Sequence, residues 1–336
     1  MAWQPVHRKL SDLGDRLDHM AHELPERCRR LLRLQQGIIA SRQAEQAGLS
    51  ARRIEVLVRT RRWQRLGFGV YAAFTGEPPR DAQLWAAVLR AGQHALLSYQ
   101  TAAELNGLID NPSRLIHVTI PVSRSIRPIN GVVIHRSARA LEARDGHLLP
   151  PRTMVEETVL DLTQLATSFD DVVSLLARSC QRQLTSPVLL TMSMERRPKM
   201  RWRTEIGMAL RDVAHGVHSP LEYRYLRDVE RAHGLPASDR QAAAWQGRVV
   251  RRDVLYRRYR VVVELDGAAS HPDEQRWRDK RRDNAAAADG LITLRYGWAD
   301  VTQRPCQAAR EVGAVLRRQG WPDSLRTCHR CREQLS

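Results

Sequence analysis

The sequence predicts a multidomain chain of mixed α+β and α/β class. Three observations carry this. Its 336 residues exceed what one core usually holds. Segments with three-and-four apolar spacing alternate with short β-branched runs bounded by Gly, Pro and Asn. With 43% hydrophobic and 27% charged residues, the chain has enough apolar material for several cores. The expected segments are a helical extension at 1–36, a small basic unit at 37–78, an α/β domain at 79–190, a basic linker at 191–214, a second α/β domain at 215–318 and a tail at 319–336.

Charge narrows the partners. Against 37 Asp+Glu stand 54 Lys+Arg, a formal net charge of +17. Such a surplus favours a polyanion, and nucleic acid is the commonest for a soluble protein. Lysine occurs only at Lys9, Lys199 and Lys280, so nearly all the positive charge is guanidinium. No apolar run approaches the ~18 residues that a spanning helix needs, and the opening MAWQPVHRKLSDLGDRLDH has no signal-peptide core. A cytoplasmic protein without a membrane partner is expected. Cys28, Cys180, Cys306, Cys328 and Cys331 are too scattered for a disulfide framework, so reduced thiols are expected.

Leu10, Leu13, Leu17, Met20 and Leu24 make one face of a leader helix, and Pro25 opens a second helical piece. In GIIASRQAEQAGLSARRIEVLVRTRRWQRLGFGVYAAFTG, Ser41 is expected to cap a helix that Gly48 ends. Ser50 then caps a second helix, with Ile54, Leu57 and Val58 inward and Arg52, Arg53, Glu55 and Arg59 outward. Helix, tight turn, basic helix and a strand pair bent at glycines read as an N-terminal winged helix-turn-helix. Arg52, Arg53, Arg59, Arg61 and Arg62 are its candidate DNA contacts. Ser98 opens a helix ending at Asn106-Gly107; RLIHVTIPV and GVVIHRS read as paired strands, with Asn130-Gly131 as a turn signal, and Leu- and Val-rich helices follow from Val155 to Arg182. His117, His135 and His147 stand isolated, as packed or solvated histidines do. RRPKMRWR is read as part of a helical linker, with no repeat or low-complexity segment anywhere.

The last domain holds an acidic cluster inside a basic surround. If Arg257-Arg258 forms a two-residue hairpin loop, Asp253 faces Val262 and lies diagonal to Glu264. Strand period then puts Asp253, Val262, Glu264 and Asp266 on one side, where three carboxylates converge. Their repulsion calls for a compensating cation. A hard divalent ion such as Mg²⁺ fits one reading, and pairing with the many neighbouring arginines fits the other. Upstream, Ser219-Pro220 opens a helix with Glu222 in its first turn.

The SPLE helix, the Asp253 strand, VELDG, His271, the pairs Arg278-Asp279 and Arg282-Asp283, and GLITLRYGW together resemble the Vsr-like branch of the PD-(D/E)XK endonuclease fold. That resemblance implies a restriction-endonuclease-like α/β domain, with Asp253 and Glu264 as ligands of Mg²⁺ or Mn²⁺. It also implies Glu222 as a helix carboxylate orienting water, His271 as general base, and Arg278 and Arg282 among the phosphate contacts. Asp266, standing where the wider fold often has lysine, is a third ligand or the cap of the following turn; Lys280 is a remote substitute for that lysine. Residues 37–190 likewise resemble the AbiEi-type antitoxin of type IV toxin–antitoxin systems, through AGLS, RWQRLGFGVY, LLSYQTAAELNGL and IHVTIP. Two functions follow as expectations, a metal-dependent DNA endonuclease of repair or phage defence and an antitoxin-like repressor with a neighbouring toxin. The oligomeric state stays open. Cys328-His329-Arg330-Cys331 supplies half a tetrahedral site, and neither His329 nor Cys306 completes it on sequence grounds, so no zinc is expected.

Overall fold

The computed structural model describes residues 24–245, 249–266 and 290–333. The chain divides into two compact units, Met1–Leu162 and Thr163–Ser336. The division falls inside the segment expected as one domain at 79–190, so the helices after 165 belong to the second unit.

In the first unit, α1 (Glu26–Leu34) leads into β1 (Ile38–Ala40), α2 (Ser41–Gln46), α3 (Ala51–Arg59), β2 (Gln64–Gly67) and β3 (Val70–Ala72). Pro25 is the N-cap of α1, which buries Cys28 and Leu32. Ser41 is the first residue of α2 rather than its cap: Gln43 Oε1 instead accepts from the Ala40 N–H at 3.1 Å, which satisfies an otherwise orphaned helix donor. Gly48 takes φ +90°, a conformation in which a Cβ is strained, and Ser50 Oγ then accepts from Arg53 N–H to start α3. The three strands form an antiparallel sheet in the order β1-β3-β2. Its core is Leu32, Ile39, Leu49, Ile54, Leu57, Trp63 and Tyr71.

Helix α4 (Arg80–Ala91) is apolar on two sides. Ala82, Trp85 and Ala86 pack with Ile38, Val70 and Ala72 of the small sheet. Leu84, Ala87, Val88 and Ala91 pack with Ile116, Val118 and Ile120 of a second sheet. That sheet runs β4 (Leu96–Leu97), β5 (Ile116–Pro121), β6 (Val132–Ser137), with α5 (Tyr99–Leu105) between β4 and β5. The two strands expected as a pair do pair, but in parallel, so Asn130-Gly131 closes a crossover rather than a hairpin.

Helix α6 (Val155–Leu165) spans the division. In the second unit, α7 (Phe169–Gln181), α8 (Pro187–Glu195) and α9 (Arg203–Ala214) precede α10 (Pro220–Arg224), which continues as a π-helical segment, Tyr225–Arg231. The stretch expected as a linker is therefore largely packed helix: α9 buries Ile206, Ala209, Leu210 and Val213. Ion pairs brace these helices, Arg224 to Asp170 at 2.8 Å and Arg231 to Asp212 at 2.6 Å. A four-stranded sheet follows, β10 (Ile292–Gly297), β9 (Val261–Asp266), β8 (Val249–Tyr256) and β7 (Asp239–Trp245) in that spatial order. Strands β7, β8 and β9 are antiparallel neighbours and β10 joins β9 in parallel. Val261, Val262 and Val263 are fully buried, so β9 is covered on both faces, as an unbroken apolar run predicts. Helices α11 (Trp298–Thr302), α12 (Pro305–Arg318) and α13 (His329–Glu333) close the unit.

Candidate functional site

The acidic cluster depends on how β8 pairs with β9. The register is Val254 with Val263, Leu255 with Val262 and Tyr256 with Val261, so the connection is the four residues Arg257–Arg260 rather than Arg257-Arg258. Arg257–Tyr259 form a 3₁₀ turn and Arg260 takes φ +55°. Continued by one residue, this register brings Asp253 level with Glu264 instead of opposite Val262. The shift is an even number of residues, so the two acids keep the shared face that strand period requires. The ladder does not continue as a regular one. Leu265 N–H donates to Asp253 Oδ2 at 2.8 Å, a side-chain acceptor where a strand carbonyl would otherwise serve.

Helix α10 supplies Glu222 to the same region. Ser219 is the N-cap, its Oγ accepting from Glu222 N–H at 3.2 Å and donating to Glu222 Oε1 at 3.0 Å. Glu222 Oε2 accepts from His218 N–H at 3.0 Å and from Gln241 Nε2 at 3.2 Å. Gln241 sits in β7 with φ +49°, and it is missing from the β7–β8 pairing between Arg240–Val254 and Ala242–Arg252.

Two opposed titrations meet here. Burial is the largest influence raising the Glu222 carboxyl, and the Asp253 charge raises it further, against the three hydrogen bonds it accepts. Burial is also the largest influence lowering His218, Arg251 adds to it, and Asp253 opposes it. Glu222, His218 and Asp253 are therefore electrostatic neighbours. His218 and Gln241 were not singled out from sequence; the signal for His218 is its place just before the Ser-Pro-Leu-Glu cap, and Gln241 carries no local signal.

Glu264 is held differently. Arg252 is 1% exposed, and its Nη1 donates to Glu264 Oε1 at 3.2 Å. Its Nε and Nη2 have no hydrogen-bond partner among the described residues. The arginine-pairing alternative thus holds for Glu264, and at the strand end for Asp266. Asp266 is exposed at the end of β9, 3.8 Å from Arg295. Glu222, Asp253, Glu264 and Asp266 do not provide three oxygens within mutual reach of one ion, so the expected convergence of three carboxylates is not formed among the described residues. The group that does meet this condition is His233, Cys306, Cys328 and Cys331, which shares no residue with the acids. His271, Arg278 and Arg282 lie outside the described residues.

A hard cation at this place would be limited to one or two of these carboxylates. Mg²⁺ takes one or two protein carboxylates and completes its shell with water or phosphate oxygens. The Asp253 charge, which raises the Glu222 carboxyl, is what such an ion would offset.

In the first unit, Arg52, Arg59 and Arg61 are exposed, while Arg53 and Arg62 are half-buried. Phe68, at the tip between β2 and β3, is 96% exposed. No family model matches the chain and no curated protein is similar to it.

Proposed function

We propose that this protein binds DNA through its first unit and hydrolyses phosphodiester bonds with its second, in a reaction dependent on Mg²⁺ or Mn²⁺. The observation that carries the reading is the meeting of Asp253 with the buried Glu222 carboxyl, whose proton affinity burial and then the Asp253 charge raise, beside a neutral-leaning histidine in a chain of net charge +17. The order of α10, the β7–β8–β9 meander and the parallel β10 supports a PD-(D/E)XK-like unit. The order α1, β1, α2, α3, β2, β3 supports a winged helix.

Asp253 and Glu264, with Glu222 at the edge, are the residues to hold the ion. A Mg²⁺ ion held by them would supply Lewis-acid polarisation of the phosphodiester and a more acidic water. Glu222, whose own oxygens are fixed by His218, Ser219 and Gln241, would orient the attacking water. His218, held neutral by burial, accepts the proton of the attacking water. Exposed arginines of α3 and its C-terminal turn hold the DNA backbone. Asp253→Ala is expected to abolish metal-dependent nicking of supercoiled and mismatched DNA while anisotropy-measured binding survives; undiminished nicking would remove the metal role from Asp253.

A second reading rests on the buried Arg252–Glu264 pair, which neutralises a strand acid without metal. In it the protein is a transcriptional repressor of an antitoxin kind, with a neighbouring toxin as partner. It requires operator binding that is lost with Arg52→Ala and Arg53→Ala and is indifferent to Mg²⁺.

A further inference from the structure

Cys328 and Cys331 are three residues apart at the start of α13, and sequence spacing gave them no partners. The fold supplies two. Cys306 lies in the first turn of α12, and His233 follows the π-helical segment, 98 residues before Cys331. The Sγ atoms of Cys306 and Cys328 are 3.6 Å apart, as are those of Cys328 and Cys331. Cys331 Sγ is 3.6 Å from His233 Nε2. All four ligand atoms lie within 4.8 Å of one another.

These separations decide between the chemistries open to three thiols and an imidazole. A disulfide needs sulfurs about 2.05 Å apart, and all three cysteines are free. Four ligands around zinc, with Zn–S about 2.3 Å and Zn–N about 2.0 Å, form a tetrahedron whose edges are about 3.5–3.8 Å. Three of the six edges are 3.6 Å, which matches that figure, and the other three are no longer than 4.8 Å.

A second observation fixes the histidine for the same task. His233 is 2% exposed, and its Nδ1 lies 3.1 Å from the Val229 carbonyl oxygen. That contact requires the proton on Nδ1 and leaves the Nε2 lone pair directed at the thiols, as the carbonyl-bonded histidines of zinc centres do. Backbone contacts bring the tail to it: Arg326 N–H donates to the His233 carbonyl at 2.8 Å. Arg330 Nη1 donates to the Thr302 carbonyl at 3.0 Å.

We propose that His233, Cys306, Cys328 and Cys331 form a structural Cys₃His zinc site that fastens the C-terminal segment onto α12 and the end of the π-helical segment. All four corners are filled by protein, so the site has no open position for catalysis. Its soft sulfur donors separate it from the oxygen ligands around Asp253, and it stands whether or not the second unit cleaves DNA. Leu325 packs on the core of the second unit, and a Cβ at Gly313 would come within 3.0 Å of it, so the fastened segment fits closely.

The test is metal analysis of the full chain purified in reductant without chelator, followed by exchange with Co²⁺. About one zinc per chain is expected, and the cobalt form should show thiolate charge-transfer absorption and the intense visible bands of tetrahedral cobalt. Cys328→Ser with Cys331→Ser should retain less than about a tenth of the metal, whereas Cys28→Ser and Cys180→Ser should retain all of it. The cobalt spectrum of the unaltered chain decides the matter even where a variant fails to fold. Absence of metal after incubation with Zn²⁺, an iron–sulfur spectrum, or full zinc retention in the double variant each overturns the proposal.

Discussion

At the scale of single residues, the environment rather than the residue type sets behaviour. His117 and His135 stand apart in sequence, yet their Nδ1 and Nε2 atoms are 3.0 Å apart, and the Tyr99 ring stacks on His135 at 3.8 Å. Burial, with the His117 charge added, pulls His135 down to about 4, and burial also lowers His117. Both folded values lie below the ordinary 6.5, so the unfolded chain binds more protons as pH falls below that figure. Stability of the first unit is therefore expected to be full above pH 6.5, to fall from there towards about 4, and to level off below. His135→Gln should flatten that slope in thermal unfolding at stepped pH; an unchanged slope would place its origin elsewhere. Arg252 makes the converse case, a buried cation that one carboxylate holds. Removing one partner of a buried pair strands the other, so Arg252→Met should cost the second unit about 3 kcal/mol in urea unfolding. A second change, Glu264→Gln, should recover part of this loss.

At the scale of elements, the helix starts carry both the fold and the site. Ser219 caps α10 and donates to Glu222, so one hydroxyl starts the helix and holds the carboxylate. Ser219→Ala should lower the stability of the second unit by about 1 kcal/mol, the usual cost of a lost N-cap. In the proposed function it should also slow cleavage more than Ser219→Asp, which keeps a cap, and equal activity of the two would limit Ser219 to a structural role. Capping is local, so Ser50, Ser98 and Ser219 were legible in sequence as helix starts, whereas the cap expected at Ser41 falls at Ala40 and those at Ser168 and Ser186 were not singled out. The β8–β9 connection was less so. Arg257-Arg258 resembles a two-residue loop, but Arg260 is the residue in left-handed conformation, and no glycine marks the position.

At the scale of the whole molecule, a net charge of +17 commits the chain to strong long-range electrostatics. With about six phosphates neutralised, DNA affinity should fall about a thousandfold between 50 and 200 mM salt. Replacing Arg52, Arg59 and Arg61 by Ala should lower the slope of log K against log salt by about three if each meets a phosphate; an unchanged slope would remove the basic helix from the interface. The sequence by itself determined the mixed class, the helix starts at Ser50, Ser98 and Ser219, the strands around Val118, Ile134, Leu255, Val263 and Leu294, and the shared face of Asp253 and Glu264. These follow from periodicity and from groups a few residues apart. Only the tertiary structure decided that β5 and β6 are parallel, that the division falls at Leu162, and that 191–214 is mostly packed helix. It also decided that Arg252 reaches Glu264, that Gln241 turns to Glu222, and that His233 and Cys306 join a Cys-x-x-Cys pair from far along the chain. The reason is physical: strand direction and side-chain encounters across tens of residues are set by which apolar faces bury together, and no local spacing records that choice.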